Sequence, residues 1–568
     1  MRNMKNRELA RMFSTIADAI ELKGGDRFRV IAYRRAATTL ENLTEDIETV
    51  AEQGRLQELR GVGKAIASKI EEYLKTGRIR KYDEELETIP EGLLDLLAIP
   101  DLGPKTLALA YKSLDIKNLE DLKRAVADGS LAELSRMGEK KVNNIKKGIE
   151  IFEKSRERIP ISEALEISEN LIEYLRANPE VEQATAAGSL RRMKETVGDI
   201  DILATGTDGR KIIEYFTSCP NTERVIASGK TKGSILVRTN GEMRQVDLRI
   251  LSRECFGSAL QYFTGSKEHN VKLRRIAREK GLKISEYGVF RGRKRIAGRT
   301  EEEVYRTVGL PFIPPELRED QGEIEAGFRE ELPTLLEYSD IKGDLHVHSN
   351  HSDGTSTILE IAEFAESLDY RYVAICDHSK SAKFAGGLSE ERLRKQMQEI
   401  DRMNMGRELR ILKGIEVDIL KDGSLDFPDE LLAELDVVVA AIHIGFRQNV
   451  TERIIAALEN PNVDIIAHPS GRLISRREGY EVDLNAVIKS AEKSGKVLEL
   501  NAYPDRLDLD DQNLRRAKEA GVKISIGTDA HAKSEMGWMR FGVGIARRGW
   551  LEKSDVINTS NEFLLNQS

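Results

Sequence analysis

Apolar residues recur every three or four positions from the N-terminus to about Ile159, as in LARMFSTIADAIELKG and AIASKIEEYLKTG, with Gly and Pro marking short connections. That spacing predicts an all-α region of amphipathic helices. Between Pro160 and about Leu310 helical stretches alternate with β-rich runs such as DIDILAT, SILVRT and RQVDLRIL, which predicts an α+β fold. The stretch PFIPPELREDQGEIEAGFREELP then breaks all periodicity with prolines and acids, and reads as a linker. Beyond Asp340, short apolar runs alternate with helical stretches to the end of the chain: GDLHVHS, YVAICDHS, LKGIEVDI, DVVVAAIH, VDIIAHP, VLELNA and KISIGTDAH. A seven-stranded β/α barrel is the expected outcome.

A chain of 568 residues is too long for one hydrophobic core, so several domains are expected. No apolar run approaches the roughly 20 residues of a membrane helix. The N-terminal MRNMKNRELARMF lacks the apolar stretch and cleavage site of a secretory signal. Cys219, Cys255 and Cys376 lie far apart, which argues against a disulfide framework or zinc finger and fits a reducing cytoplasm; a monomer is expected. The net charge of −8 weighs against nucleic acid only if charge is spread evenly, and it is not. Arg60 to Lys81 carries seven Lys/Arg against two Glu, and Lys267 to Arg299 twelve against three. Both are candidate DNA faces, because a phosphate backbone responds to local charge.

Within the helical region GVGKAIASKIEEYL (Gly61 to Leu74) and PDLGPKTLALAYKSL (Pro100 to Leu114) share a Gly turn that opens an amphipathic helix, and MGEKKVNNIKKGI at Met137 is a weaker copy. This is the pattern of helix-hairpin-helix elements. Such a turn aims free backbone N–H groups and the positive helix end at a phosphate, without reading sequence. Gly61, Gly63, Lys64, Gly103 and Lys105 are the candidate DNA contacts.

In AAGSLRRMKETVGDIDIL, Asp199 and Asp201 are two residues apart on a strand, so both carboxylates share one face while Ile200 and Ile202 turn away. In RQVDLRI, Asp247 shares a face with Gln245 and Arg249, and Val246, Leu248 and Ile250 turn inward. Three carboxylates on neighbouring strands suit two Mg²⁺ ions about 4 Å apart, which implies nucleotidyl transfer. Gly188 and Ser189 form a turn able to hold a triphosphate, with Arg192 as a charged donor.

Seven of the eight histidines fall between His346 and His531, at the ends of the apolar runs. Groups at strand C-terminal ends of a β/α barrel converge on one mouth. His346, His348, Asp353, His378, Glu416, His443, His468, Asp529 and His531 are therefore expected to meet there. This set exceeds one Zn²⁺ and suits a cluster of two or three divalent ions, since imidazole with carboxylate favours Zn, Mn or Fe. Asp377 reads as a residue orienting His378. Arg472 reads as a phosphate or salt-bridge partner, and His351 as lying outside the metal shell.

Gly-Ser, Asp-x-Asp, V-D-L-R, YFTGS and EYG, in this order, resemble a family X DNA polymerase from the N-terminal helices to about Leu310. HVH, DH, E, H, H and DAH resemble the PHP phosphoesterases from Asp340 to about Trp550. The resemblance implies a DNA-end-binding helical domain (1–85), fingers (86–159), palm (160–252), thumb (253–315), linker (316–339) and PHP domain (340–568). It implies that Asp199, Asp201 and Asp247 are catalytic and that Ser189, Arg192 and Lys230 or Lys232 hold triphosphate. Tyr262, Phe263 and Gly265 would contact the sugar, and Asn270 the base.

The implied activities are short gap filling in base excision repair, using dNTPs on gapped or primer-template DNA, and a Mn²⁺-dependent 3′–5′ exonuclease with 3′-end cleaning or abasic-site cleavage. Lys69 matches a lyase nucleophile or a phosphate contact. Two positions depart from animal members: Gln245 replaces a common arginine, and Arg29 replaces a phosphate-pocket lysine. The alternatives are a polymerase with a structural barrel, and a non-catalytic DNA-end scaffold.

Overall fold

The computed structural model describes residues 4–561 except 42, 44–46, 77, 88, 91, 100, 101, 136, 240 and 241, so Pro100 and Asp101 of the second hairpin motif lie outside the described residues. The chain divides into two compact units, residues 4–157 with 473–478, and residues 158–472 with 479–561.

The first unit is helical and has two cores. One joins Leu9, Phe13, Ile16, Tyr33, Leu40, Ile66 and Ile70; the other joins Leu96, Leu102, Leu107, Leu122, Leu131 and Ile145. Helices α1 (Lys64–Thr76) and α2 (Pro104–Leu114) each follow one of the predicted Gly turns.

In the second unit a five-stranded sheet has the order β1-β2-β5-β4-β3, with β1 Val181–Ala186, β2 Ile200–Gly206, β3 Thr222–Ser228, β4 Lys232–Thr239 and β5 Glu242–Leu251. Only the central pair β2 and β5 runs parallel. One turn of helix, α3 (Gly188–Arg191), follows β1. A helix over Phe256–Thr264 follows, then α4 (Lys267–Glu279) and three short antiparallel strands, Lys283–Ser285, Gly288–Arg291 and Lys294–Ala297.

The expected linker, whose composition leaves open whether it is flexible or packed, packs into the fold. Leu317 and Ile324 enter the core formed by Leu273, Val289, Val304 and Tyr305, and α5 (Glu323–Arg329) is part of the segment. Its buried anchors include a fully buried arginine, Arg318, and a fully buried Glu323. A hydrophobic period cannot reveal such anchors, because their burial depends on distant charged partners.

After it, seven parallel strands follow in chain order: β6 Gly343–Val347, β7 Tyr372–Ile375, β8 Arg410–Asp418, β9 Val437–Ala441, β10 Ile465–Ile466, β11 Val497–Asn501 and β12 Ile524–Gly527. Asp529 N–H donates to His346 O and His348 N–H to Ala530 O, which brings the first strand beside the end of the last. The sheet thus curls into the expected near-barrel. Helix α6 (Met539–Arg548) packs on it near the end of the described chain.

Candidate active sites

In the helical unit Gly61 has φ +78, a conformation that glycine adopts without penalty, and Lys64 opens α1. Gly63 accepts from Ile66 and Ala67 N–H, Gly103 from Thr106 and Leu107, and Gly138 from Lys141 and Val142. All three turns, the weak one included, therefore cap their helices in the same way. Lys64 and Lys105 are exposed. Lys69 Nζ donates to Ala65 O at 2.9 Å and lies 5.9 Å from the Tyr33 ring centroid. Burial, joined by the Arg29 charge, lowers its ammonium pKa.

The parallel pairing of β2 with β5 sets Asp201 directly opposite Asp247. Asp199 stands one residue before β2, while Ile200, Ile202, Val246 and Leu248 are fully buried on the opposite face. Gly188, at φ +63, leans so closely on Asp201 that a Cβ there would lie 3.1 Å from its Oδ2. Burial, then the charges of Asp247 and Asp199, push the Asp201 carboxyl up to about 6. Burial also acts on Asp247, but hydrogen bonds from Ser234, Gln245 and Lys232 hold its pKa below the usual value. Three acids are thus crowded with one polar ring of donors, an arrangement whose repulsion a divalent cation relieves.

Lys232 Nζ sits 3.0 Å from Asp247, and Lys230 is exposed in the β3–β4 hairpin. Gln245 Nε2 donates to Asp247 at 3.0 Å and so braces a carboxylate. Arg192 donates to Thr264 O and, at 3.0 Å, to Glu319. A Cβ on Gly265 would meet Arg192 Nη1 at 3.0 Å, and the Tyr262 and Phe263 rings meet edge to face at 5.1 Å. Asn270 Nδ2 donates to Tyr262 O at 2.8 Å and its oxygen accepts from Gln261 at 2.6 Å, so its amide is held against the Tyr262 turn. Sequence reading missed Glu319 and Glu301. Glu301 binds Arg191 through two hydrogen bonds of 2.9 and 2.6 Å and Arg318 through one of 2.6 Å.

At the barrel mouth the nine expected residues come together. Three overlapping groups have ligand atoms within 4.8 Å of one another: His348, Asp353, His378 and His531; His346, His348 and Asp529; and His378, Glu416 and His443. His468 Nε2 joins through Glu416 at 3.1 Å. The donor set fits divalent ions on its own geometry. His346 and His348 bring Nε2 atoms within 3.2 Å, and His378 Nδ1 approaches Glu416 Oε2 to 2.7 Å, although both atoms are buried without a hydrogen bond. The field is negative: despite burial, Glu416 and Asp418 raise the His443 imidazolium to about 10, and Asp353 does the same for His531.

Two acids missing from the expected set orient ligands. Glu499 Oε1 lies 2.6 Å from His346 Nδ1 while its Oε2 accepts His468 N–H at 2.7 Å, and Asp418 lies 2.9 Å from His443 Nδ1. Asp377 does not serve His378: it accepts from Ser349, Ser352 and Gln396, fixing the loop that carries Asp353. His351 lies outside, 3.2 Å from Glu399. Arg472 binds Glu195 of the β1–β2 connection at 2.7 Å. The cation beside the cluster is Arg506, whose Nε is 3.5 Å from Asp529 and whose Nη1 is buried without a hydrogen bond.

The helix-hairpin-helix domain family matches residues 4–79, the SAM-like helix-hairpin-helix tandem 93–150, the DNA polymerase beta palm 158–242, the DNA polymerase beta thumb 259–319 and the PHP domain 344–503. The DNA polymerase/3′-5′ exonuclease PolX of Bacillus subtilis is 42% identical over 561 residues, 98% of this chain and 97% of that protein. The chain belongs to the PolX family of DNA polymerases. DNA polymerase lambda of Rattus norvegicus is 28% identical over 55% of the chain and 56% of its own length. A Thermoanaerobacter sp. protein named "Probable phosphatase" is 30% identical over 38% of the chain and 89% of its own length. Within this PolX chain the palm match ends before Asp247 and the PHP match before Asp529 and His531. The fold brings these three residues to the two carboxylate sites. No helix among the described residues is long and apolar enough to cross a membrane.

Proposed function

We propose that this PolX chain fills short gaps in DNA during base excision repair and removes nucleotides from 3′ ends at its barrel mouth, acting as a cytoplasmic monomer. Residues 1–85 and 86–159 grip the DNA end through Gly61, Gly63, Lys64, Gly103 and Lys105. The palm, residues 160–252, joins a dNTP to the primer, residues 253–315 form the thumb, and the region from 340 onward is the nuclease. The pairing of Asp201 opposite Asp247 beside the Gly188 turn carries the polymerase reading. The three overlapping ligand groups carry the nuclease reading.

Asp199, Asp201 and Asp247 hold Mg²⁺, and the barrel residues hold two or three ions, Mn²⁺ or Zn²⁺. Bound ions supply Lewis acidity to both phosphoryl transfers. Around them, Ser189 and Arg192 orient the triphosphate, Tyr262, Phe263 and Gly265 shape the sugar pocket, and Arg506 steadies the scissile phosphate beside Asp529. Abasic-site cleavage and 3′-end cleaning follow from the same barrel chemistry.

Primer extension lost in Asp199→Ala but kept in His348→Ala, with the reverse for primer degradation, is the expected result. Degradation that survives both His346→Ala and His348→Ala would remove the nuclease from the barrel. A lyase step at Lys69 is a second reading, favoured by the lowered pKa of its amine. Borohydride trapping on abasic DNA should then be lost in Lys69→Ala, and equal trapping would sink that reading.

A further inference from the structure

Phe384 is 74% exposed, although phenylalanine is among the residues most often buried. It sits on the crest of a short turn, Lys383–Ala385, between β7 and β8. Its exposure does not come from a loose loop. Ser381 N–H and Oγ both donate to Asp426 at 2.6 Å, Leu388 N–H donates to His378 O at 2.8 Å, and Arg392 donates to Gly386 O at 2.9 Å. Ala382 and Ala385, on either side of the ring, are buried. The anchored loop therefore presents the ring to solvent at a chosen place.

That place is the metal-ligand cluster. The ring centroid lies 6.0 Å from His378 at an interplanar angle of 57° and 6.2 Å from His443 at 70°. Two ligand histidines thus approach the ring at steep angles, and the remainder of the ring is open. The cluster itself offers no apolar surface to a substrate, and its carboxylates repel a phosphate diester until cations neutralise them. A strand that reacts there needs a second hold near the scissile bond. A nucleobase, one sugar away from that bond, has a π-face whatever its identity, so an aromatic platform binds any terminal nucleotide without reading sequence.

We propose that Phe384 is the stacking platform for the 3′-terminal nucleobase of the strand cleaved at the barrel mouth, so that the site takes base-bearing nucleotide ends in preference to bare phosphate esters. The inference rests on the nuclease reading above. It is tested with the full-length protein and Mn²⁺ on two single strands that differ only at the 3′ residue, thymidine or a tetrahydrofuran that lacks a base.

Phe384→Ala should lower kcat/KM about tenfold on the thymidine end, the scale of one base–aromatic stack. On the tetrahydrofuran end it should change the rate less than twofold, and Phe384→Trp should restore the thymidine rate. Unchanged primer extension and melting temperature report that the variant is folded. An equal loss on both ends would make the ring structural. No loss on either would assign its exposed face to another occupant, such as a protein. Either result overturns the proposal, whereas retained degradation in His348→Ala would overturn the nuclease reading instead.

Discussion

Arg548, on the barrel helix α6, donates through Nη1 to Glu319 Oε1 at 2.9 Å and reaches the backbone oxygen of Arg192 at 2.8 Å. Only 2% of its side chain is exposed, and its Nη2 binds Asp511. Met193 packs against α6 so tightly that a Cβ on Gly544 would lie 2.3 Å from its Cε. Arg472 holds Glu195 at the other end of the same loop. Two arginines of the C-terminal domain therefore brace the palm loop that follows Gly188 and Ser189.

Removing Arg548 should loosen that loop, leave Glu319 with Arg192 as its hydrogen-bonded cation, and take the Arg548 hydrogen bond from the part-buried Asp511. Arg548→Ala is expected to destabilise the folded chain by about 2 kcal/mol, the scale of lost hydrogen bonds to charged groups. It should also raise KM for dNTP severalfold, with a smaller change in kcat, because Arg192 loses its backbone support. Arg548→Lys should recover part of both. Steady-state primer extension and chemical denaturation read the two effects, and an unchanged KM would separate the brace from the nucleotide pocket.

Glu301 makes a pH-dependent contribution to the same unit. Burial alone would raise its carboxyl, but Arg318 and Arg191 hold its pKa below the usual value. A carboxylate depressed in the folded state stabilises at pH above its unfolded pKa of about 4.3, and that stability is lost as pH falls through the folded value. The melting temperature of the wild type should therefore fall as pH drops below about 4.3. Glu301→Gln should already be destabilised by about 3 kcal/mol at pH 7 and show a flatter dependence over that acid window.

What was legible in the chain divides along one physical line. Strand-end ligands such as His346, His468 and His531 stood out because each ends an apolar run, and a barrel gathers such ends whatever the details of packing. Asp199, Asp201 and Asp247 were visible through period-2 alternation. Glu499 was not: it lies inside VLELNA, where a lone acid on a strand looks unremarkable until His346 is known to face it. Glu319 is separated from Arg192 by 127 residues, and Glu301 from Arg191 by 110, so no local pattern records either pair. Whether the linker is flexible or packed was hidden for the same reason. Besides Leu317 and Ile324, its anchors Arg318 and Glu323 are charged side chains buried against Glu301 and His269, and composition reports such residues as solvent-loving.

Arg506, rather than Arg472, is the cation beside the barrel-mouth cluster. A preorganised donor aimed at developing phosphate charge contributes a factor of about a hundred to kcat. Arg506→Ala should lower the rate of primer degradation by that order while the amount of Mn²⁺ bound, read by elemental analysis, stays unchanged. Loss of bound metal in parallel with rate would instead make Arg506 a support of the ligand set through Asp529.

Glu499 should reveal itself through metal binding more than through turnover. Its two oxygens engage His346 Nδ1 and the His468 backbone, so one carboxylate fixes the ring orientation of the first ligand and the position of another. A carboxylate of this kind also makes the imidazole more basic, and its removal typically weakens metal affinity by about 10- to 100-fold. Glu499→Gln preserves shape and a hydrogen-bonding oxygen but loses the charge. The Mn²⁺ dissociation constant measured directly should rise within that range, and primer degradation should recover at saturating Mn²⁺. Failure to recover would place Glu499 in the chemical step itself, and an unchanged dissociation constant would leave His346 oriented by its strand alone.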